Sequence, residues 1–385
     1  MNQFIHRANS FIGTSLLFTL LMTVFTSRLS SATEIEKPFF EIKTSDLAAL
    51  TEAFDNIILA NERPFYGAML LVQDGEVVYQ YKHGFQGMEQ PDSNSYFLLA
   101  SQSKMVTAAV VLNAVDEGKI SLDQTLNHYL KLANKPLYHL DITIKQLLSH
   151  TSGIAPVGKN NRFTPGSQFQ YSNLGYEMLA TVLEIQYQRP FSTLVNLFLL
   201  DKGIDGILAQ IGPIKARANS QYKGVQGMAM RPDSPPDGVD NQMVNYEMVD
   251  YEITADLLPG GGLLGSANGL AQYLQALHGG LLLPKGLYQA MVTPVIKRSH
   301  RWRELYYGYG MQINQLQLME YSHSGYLPGF QSLSLSYPQN DTYFVLLENS
   351  SWPLDDMDKV FGLHDRLRAI LRQHLILTLT DKNKP

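Results

Sequence analysis

Strand-like and helix-like periodicities are segregated along this chain, with the strand signals at its two ends. Near the N-terminus, Ala68-Met69-Leu70-Leu71-Val72 and Val77-Val78-Tyr79 flank Asp74-Gly75, the dipeptide that most favours a two-residue hairpin. Strand signals then become sparse until Gly310–Asn314, Leu316–His323, Phe330–Tyr337 and Thr342–Leu347, with 338–341 reading as a turn. Between them, Lys104–Glu117 reads as a helix with Met105, Ala108, Ala109, Leu112 and Val115 on one face and Gly118 as its stop. From Leu122 to about Gly279, short helical patterns alternate with long polar or Gly/Pro-rich loops, notably Gly153–Phe169 and Arg217–Asp250. Helical spacing also marks Asp46–Leu59 and the set Val360, Leu363, Leu367, Ile370 and Leu371.

This pattern predicts an α/β (α+β) fold: one antiparallel sheet built from N- and C-terminal segments and flanked by helices, with a largely helical domain inserted. The expected division is a sheet domain from 45–121 and 280–376 and a mainly helical domain at 122–279, with an N-terminal extension at 33–44 and a tail at 377–385. A cleft belongs at the junction, because pockets favour domain interfaces.

Composition narrows the chemistry. The chain has 385 residues, 30 basic against 35 acidic, and no Lys/Arg-rich run, so the electrostatic footprint of nucleic-acid binding is missing. It has no cysteine, which removes disulfides, thiolate metal sites and cysteine nucleophiles. Its ten histidines are scattered and form no H-E-x-x-H, so no metal site is expected. His6 and Arg7 precede an uncharged stretch from Ala8 to Ser27, and Ser30-Ser31-Ala32 offers small residues for a signal peptidase. Residues 1–32 therefore read as a signal peptide, with an uncleaved anchor as the alternative, and the protein as exported, periplasmic or secreted.

Three short patterns carry the candidate chemistry. In Ser101-Gln102-Ser103-Lys104, an extended segment gives way to a helix, and three residues is nearly one turn, so hydroxyl and amine share a face. A desolvated, neutral lysine can accept the serine proton, while helix-end N–H groups favour the developing anion. Taken alone, Ser101 reads as an N-cap followed by a solvated lysine, and Ser220-Gln221-Tyr222-Lys223 matches the same pattern by chance in a loop. Tyr171-Ser172-Asn173 stands where a turn meets a helix; its phenol can shuttle a proton and its amide can orient a carbonyl, or the pair is simply a core tyrosine and a cap. His323-Ser324-Gly325 ends a strand-like run, where small residues admit a ligand close to backbone N–H groups.

Ser101-x-x-Lys104, Tyr171-x-Asn173 and His323-x-Gly325, in this order, resemble the three active-site elements of the penicillin-recognising serine hydrolases. The branch is that of class C β-lactamases, D-alanyl-D-alanine carboxypeptidases and related serine esterases. Gly67 and the hairpin, Asp141–Ile154, Pro259-Gly260-Gly261-Gly262-Leu263 and Tyr307-Gly308-Tyr309-Gly310 also resemble recurrent segments of the family, so the likeness covers nearly all of residues 45–375.

The resemblance implies a β-lactamase-like fold and an acyl-enzyme mechanism without metal or organic cofactor. It implies Ser101 as nucleophile, Lys104 as its activating partner and Tyr171 as general base and acid. Asn173 becomes the substrate anchor, His323 the strand residue facing the substrate's charged or polar end, and the backbone N–H groups of Ser101 and Tyr326 the oxyanion hole, with Ser324 and Gly325 also substrate-binding. The implied partner is a small molecule or a peptidoglycan peptide, with no nucleic acid and no membrane contact beyond an uncleaved N-terminal segment. Many β-lactamases carry a lysine where this chain has His323, and a largely neutral histidine points away from efficient β-lactamase action. The expected function is thus an exported serine hydrolase of D-alanyl peptides or small esters and amides. The alternatives are a β-lactamase and a non-catalytic penicillin-binding or scaffold protein. His150, in Ser149-His150-Thr151-Ser152-Gly153, reads as structural, Lys82-His83-Gly84 precedes the nucleophile and is set aside, and no G-x-S-x-G elbow occurs.

Overall fold

Asp46 accepts a hydrogen bond from the Ala48 amide at 3.0 Å and so caps helix α1, Leu47–Leu59. The computed structural model describes residues 43–214, 224–231 and 245–382. The expected signal peptide, residues 33–42 of the extension, most of the Arg217–Asp250 loop, Ser220–Lys223 and residues 383–385 lie outside the described residues. After α1 come strands β1, Gly67–Gln73, and β2, Glu76–His83. Asp74 and Gly75 join them with φ of 51° and 80°, the left-handed pair a tight hairpin turn needs.

The remaining strands of this sheet come from the other end of the chain: β3 (Ile296–Lys297), β4 (Leu305–Tyr307), β5 (Gln312–Asn314), β6 (Glu320–Leu327), β7 (Phe330–Tyr337) and β8 (Thr342–Glu348). They form an antiparallel sheet in the order β3-β4-β5-β6-β7-β8-β1-β2. The closure between the two ends is the β1–β8 ladder, running in register from Gly67 opposite Glu348 to Gln73 opposite Thr342.

The further helices among the described residues are α2 (Ser103–Asp116), α3 (Leu126–Leu132), α4 (Ile144–Leu148), α5 (Asn173–Tyr187), α6 (Phe191–Asp201), α7 (Ala267–His278), α8 (Lys285–Val292) and α9 (Met357–Lys382). Strand alternation sorts the sheet's side chains into two cores. Met69, Leu71, Leu333, Leu335, Phe344 and Leu346 meet α1 and α9 on one face. Ala68, Leu70, Val345 and Leu347 meet α2 and α7 on the other. Among the described residues no helix is long and apolar enough to cross a membrane.

Three expectations need correcting. Every residue of α2 from Ser103 to Leu112 is buried, because the helix lies between the sheet and the other helices; its one-sided apolar face does not exist. The run beginning at Leu316 is a turn held by the Asn314 side chain, which accepts from the Leu316 amide at 3.0 Å. Strand β6 therefore starts at Glu320 and carries His323-Ser324-Gly325 in its middle rather than at its end. Helix α9 runs on to Lys382, through most of the stretch set apart as a tail.

Candidate active site

Ser101 sits in a single 3-10 turn, Ala100–Gln102, that feeds α2. It does not cap that helix; the N-cap position falls on Gln102, whose side chain makes no capping bond. Ala100 holds a left-handed φ of 50°, a conformation that costs an L-residue about 1–2 kcal/mol. Surrounding contacts hold the turn in that shape. The Leu99 amide donates to the Leu263 carbonyl at 2.9 Å, and the Ser332 hydroxyl of β7 donates to the Leu99 carbonyl at 2.9 Å. Gly325 of β6 lies so close that a Cβ there would fall 2.6 Å from the Leu99 oxygen and 2.9 Å from the Ala100 Cβ. Seating the turn directly on the strand thus requires glycine at 325.

Lys104 is fully buried one turn after Ser101. Its Nζ lies 2.8 Å from Asn173 Oδ1, 2.5 Å from the Gly260 carbonyl and 3.5 Å from Ser101 Oγ. The rings of Tyr171 and Tyr176 stand 4.7 Å and 5.4 Å away, and no carboxylate among the described residues pairs with the amine. Burial without a counter-ion drives its pKa well below the ordinary lysine value. In its neutral form the amine has two protons and one lone pair, so that donating to the Asn173 and Gly260 oxygens leaves the lone pair for the serine hydroxyl. The Gly260 carbonyl belongs to a π-type turn, Leu258–Gly262, bound to α2 by Thr107, whose hydroxyl donates to the Pro259 carbonyl at 2.8 Å. The Gly/Pro composition of that segment marks a turn; it does not say that a carbonyl points at Lys104.

At the start of α5, Ser172 is the N-cap, its hydroxyl accepting from the Gly175 amide at 3.1 Å. That frees Asn173 from capping, so its Oδ1 reaches Lys104 while its Nδ2 has no partner among the described residues. His150 orders this corner: its Nδ1 accepts from the Ser172 amide at 3.1 Å and its ring lies 4.2 Å from that of Tyr171. Burial, then the neighbouring Lys104, His323 and Arg298, push the His150 pKa far down, so it acts here as a neutral structural group. The Tyr171 hydroxyl is enclosed without a hydrogen bond of ordinary geometry. Burial raises its pKa; Ser101 and Arg298 are near enough to oppose the rise without cancelling it, so the phenol keeps its proton at neutral pH.

His323 is also buried, and both of its nitrogens are engaged inside the protein. Nδ1 lies 2.7 Å from the Ser324 carbonyl and must carry the proton; Nε2 lies 3.0 Å from the Tyr307 hydroxyl and accepts from it. Burial, then Lys104, push its pKa to about 3. His323 therefore shapes the strand wall and presents no charge. Ser324 is half-buried, and the Tyr326 phenol turns away to donate to the Trp352 carbonyl at 2.7 Å, so that any contact of Tyr326 with substrate falls to its backbone.

Two neighbours of the site had no sequence signal for the contacts they make there. Tyr307 appears only within a Gly/Tyr segment. Arg298 lies in Lys297-Arg298-Ser299-His300-Arg301, which reads as a solvated charged edge, yet its side chain is buried with its guanidinium 5.6 Å from the Phe169 ring and 5.8 Å from the Tyr171 ring. No set of three or more His, Asp or Glu side chains is arranged to hold a metal ion among the described residues.

A sheet closed from both chain ends, with an S-x-x-K lysine buried against a tyrosine and an asparagine, defines a serine hydrolase of the β-lactamase and penicillin-binding protein type. A family model described as Beta-lactamase matches residues 60–365, and the chain belongs to that family. Among similar proteins, it is 28% identical over 278 residues to a protein named as a fimbrial assembly protein, FimD of serogroup D, from Dichelobacter nodosus. That match covers 65% of this chain and only 65% of the relative's own length. It is 22% identical to penicillin-binding protein 4* of Bacillus subtilis, over 76% of this chain and 69% of that one. The solved structure of the D-alanine carboxypeptidase AmpC from Burkholderia cenocepacia superposes with a TM-score of 0.65 at 19% identity, covering 84% of this chain and 99% of that one, a likeness of fold.

Proposed function

We propose that the protein is an exported serine hydrolase that forms an acyl-enzyme at Ser101 and acts on D-alanyl peptides or small esters and amides. The observation that carries this reading is the fully buried Lys104 amine, 2.8 Å from Asn173 Oδ1, 2.5 Å from the Gly260 carbonyl and 3.5 Å from Ser101 Oγ, whose burial favours the uncharged form. In the acylation step the Ser101 proton passes to Lys104 Nζ as Oγ bonds to the substrate carbonyl carbon, and the carbonyl electron pair moves onto oxygen. The backbone N–H groups of Ser101 and Tyr326, on a turn and a strand that touch through Gly325, receive that oxyanion. The Asn173 Nδ2 group donates to the substrate. Tyr171 gives its phenolic proton to the leaving nitrogen or oxygen as the carbon–heteroatom bond breaks, and recovers a proton from the Lys104 ammonium. Water then cleaves the acyl-enzyme by the same steps in reverse.

This division of labour makes Lys104 the first proton acceptor and Tyr171 the donor, which differs from the general-base role for Tyr171 implied by the family resemblance. The opposite pKa directions of the two groups favour it. Export is supported by the apolar, uncharged stretch after Arg7 and the small residues at 30–32. The test is release of D-alanine from an N-acyl-D-alanyl-D-alanine, and of acid from a short-chain ester, by the wild type and Ser101→Ala. Turnover of at least one substrate, lost in the variant, is expected; turnover that survives the substitution would overturn the reading.

A further inference from the structure

Strand β7 carries a serine at every second position of a wholly buried stretch. Ser332, Ser334 and Ser336 share the sheet face of Val345 and Leu347. A hydroxyl in such a core needs an acceptor to offset its lost hydration. Ser334 has none among the described residues. Ser332 reaches a distant part of the chain, its hydroxyl donating to the Leu99 carbonyl at 2.9 Å.

That reach depends on register. Ser332 lies directly opposite Gly325 of β6, where a Cβ would stand 2.4 Å from Ser332 Oγ, so the missing side chain leaves the path to the Ser101 turn open. The next residue of β6 is Tyr326, opposite Gln331. The Leu99 carbonyl also closes the turn, accepting from the Gln102 amide at 3.3 Å. The Leu99–Ala100 peptide that bears this oxygen precedes the left-handed Ala100, and the peptide after Ala100 bears the Ser101 N–H. Relaxing Ala100 to a negative φ rotates the first peptide plane against the second, so anchoring the first fixes the aim of the second.

We propose that Ser332 is a positioning residue for the oxyanion hole: by tying the Leu99 carbonyl to β7 it keeps the Ser101 N–H aligned with the Tyr326 N–H of the neighbouring strand. The proposal rests on the acyl-enzyme reading above and names the residue that sets the geometry of its anion site. The Ser332 hydroxyl is engaged by the turn and takes no part in proton transfer.

The experiment is pre-steady-state acylation by p-nitrophenyl acetate, resolved into an acylation rate constant and a dissociation constant for the ester, with a thermal melt of each variant. Ser332→Ala is expected to lower the rate constant about 10- to 100-fold, less than loss of a whole oxyanion donor, while the dissociation constant changes by less than about 3-fold. Ser334→Ala, on the same face of the same strand, keeps the wild-type rate. The decisive comparison uses Ala100→Gly, because glycine adopts a positive φ without strain and has less need of the tether. In that background Ser332→Ala should lower the rate by less than about 3-fold. A merely structural hydroxyl would lower the rate by the same factor in both backgrounds, which overturns the proposal. So does a Ser332→Ala enzyme with an unchanged rate constant. Should Ser332→Ala fail to fold, Ser332→Thr and Ser332→Val replace it, since they match in shape and differ in the hydroxyl. The Thr variant is then expected to acylate at least about 10-fold faster than the Val variant, and equal rates overturn the proposal. If p-nitrophenyl acetate leaves no acetyl group on wild-type Ser101, the acyl-enzyme reading itself has failed and the role of Ser332 falls with it. An acetylated Ser101 whose rate ignores Ser332 removes only the positioning role.

Discussion

The Lys104 amine gives up its water shell and recovers two hydrogen bonds to carbonyl oxygens, with Ser101 as the third neighbour. This has consequences for activity and for stability that run in opposite directions. Acylation by the proposed route needs the free amine, so kcat/KM for a neutral ester should rise as pH climbs through the lowered Lys104 pKa and level off well below pH 10.5; a rise centred on 10.5 itself would contradict this. In the unfolded chain the same amine titrates near its ordinary value of 10.5. Between the two values the unfolded chain binds a proton that the folded one does not, so Lys104 destabilises the fold increasingly as pH falls from 10.5 toward its folded pKa. Lys104→Met should therefore be inactive yet melt higher than the wild type, with a larger gain at pH 7 than at pH 10, measured by paired thermal melts. Ser172 shows the opposite economy. Its hydroxyl caps α5 and releases Asn173 for Lys104, so Ser172→Ala should lose about 1 kcal/mol in urea unfolding and also lower acylation as Asn173 drifts. The S-x-x-K, Y-x-N and H-x-G triplets are legible because each is local. What Arg298, Tyr307 and the Gly260 carbonyl do is set by residues far away in sequence, and no spacing rule reaches them.

At the scale of elements, the site depends on how closely the Ser101 turn rests on β6. Gly325→Ala would drive a methyl group against the Leu99 carbonyl and the Ala100 Cβ. Overpacking of this kind costs about 1–3 kcal/mol, but the strain falls on the Ser101 turn, so activity should fall much further than stability does. Parallel denaturation and esterase assays check this; a variant that loses stability and keeps its rate would show that the turn and strand are not coupled. Periodicity located the elements that have one wet face or a strong turn, such as α1 and the β1–β2 hairpin. It failed at α2, which is buried all round and has no polar face to read. It also failed at the start of β6, where Asn314 diverts an apolar run into a turn. Both failures have one physical source: tertiary surroundings decide what a short apolar run becomes.

The whole molecule is closed by contacts between its two ends. Besides the β1–β8 ladder, Glu348 at the end of β8 accepts from Arg63 ahead of β1, with Nη2 to Oε1 at 3.0 Å, and lies 2.7 Å from His364 Nε2 of α9. Burial alone would raise the Glu348 carboxyl, but Arg63 and His364 hold it below the ordinary carboxylate range. Glu348→Ala leaves Arg63 buried without its partner and should cost about 3–5 kcal/mol in urea unfolding; a loss below about 1 kcal/mol would mean the ends are held by the sheet alone. The segregation of strand signals made this closure readable, since a hairpin at one end must pair with strands at the other. At the N-terminus, sequencing of the protein recovered from outside the cytoplasm should begin at residue 33 if the signal peptide is removed where expected; a chain still starting at Met1 would favour the anchor. Ser101 is proposed here as a nucleophile activated in place by the surrounding fold. An aryl phosphonate monoester tests it most directly, because attack by Oγ on phosphorus expels the phenolate and leaves a stable adduct whose mass and position can be read. One adduct is expected, on the peptide containing Ser101, absent from both Ser101→Ala and Lys104→Met; labelling at another residue, or equal labelling of Ser101→Ala, would show that Ser101 is not the nucleophile.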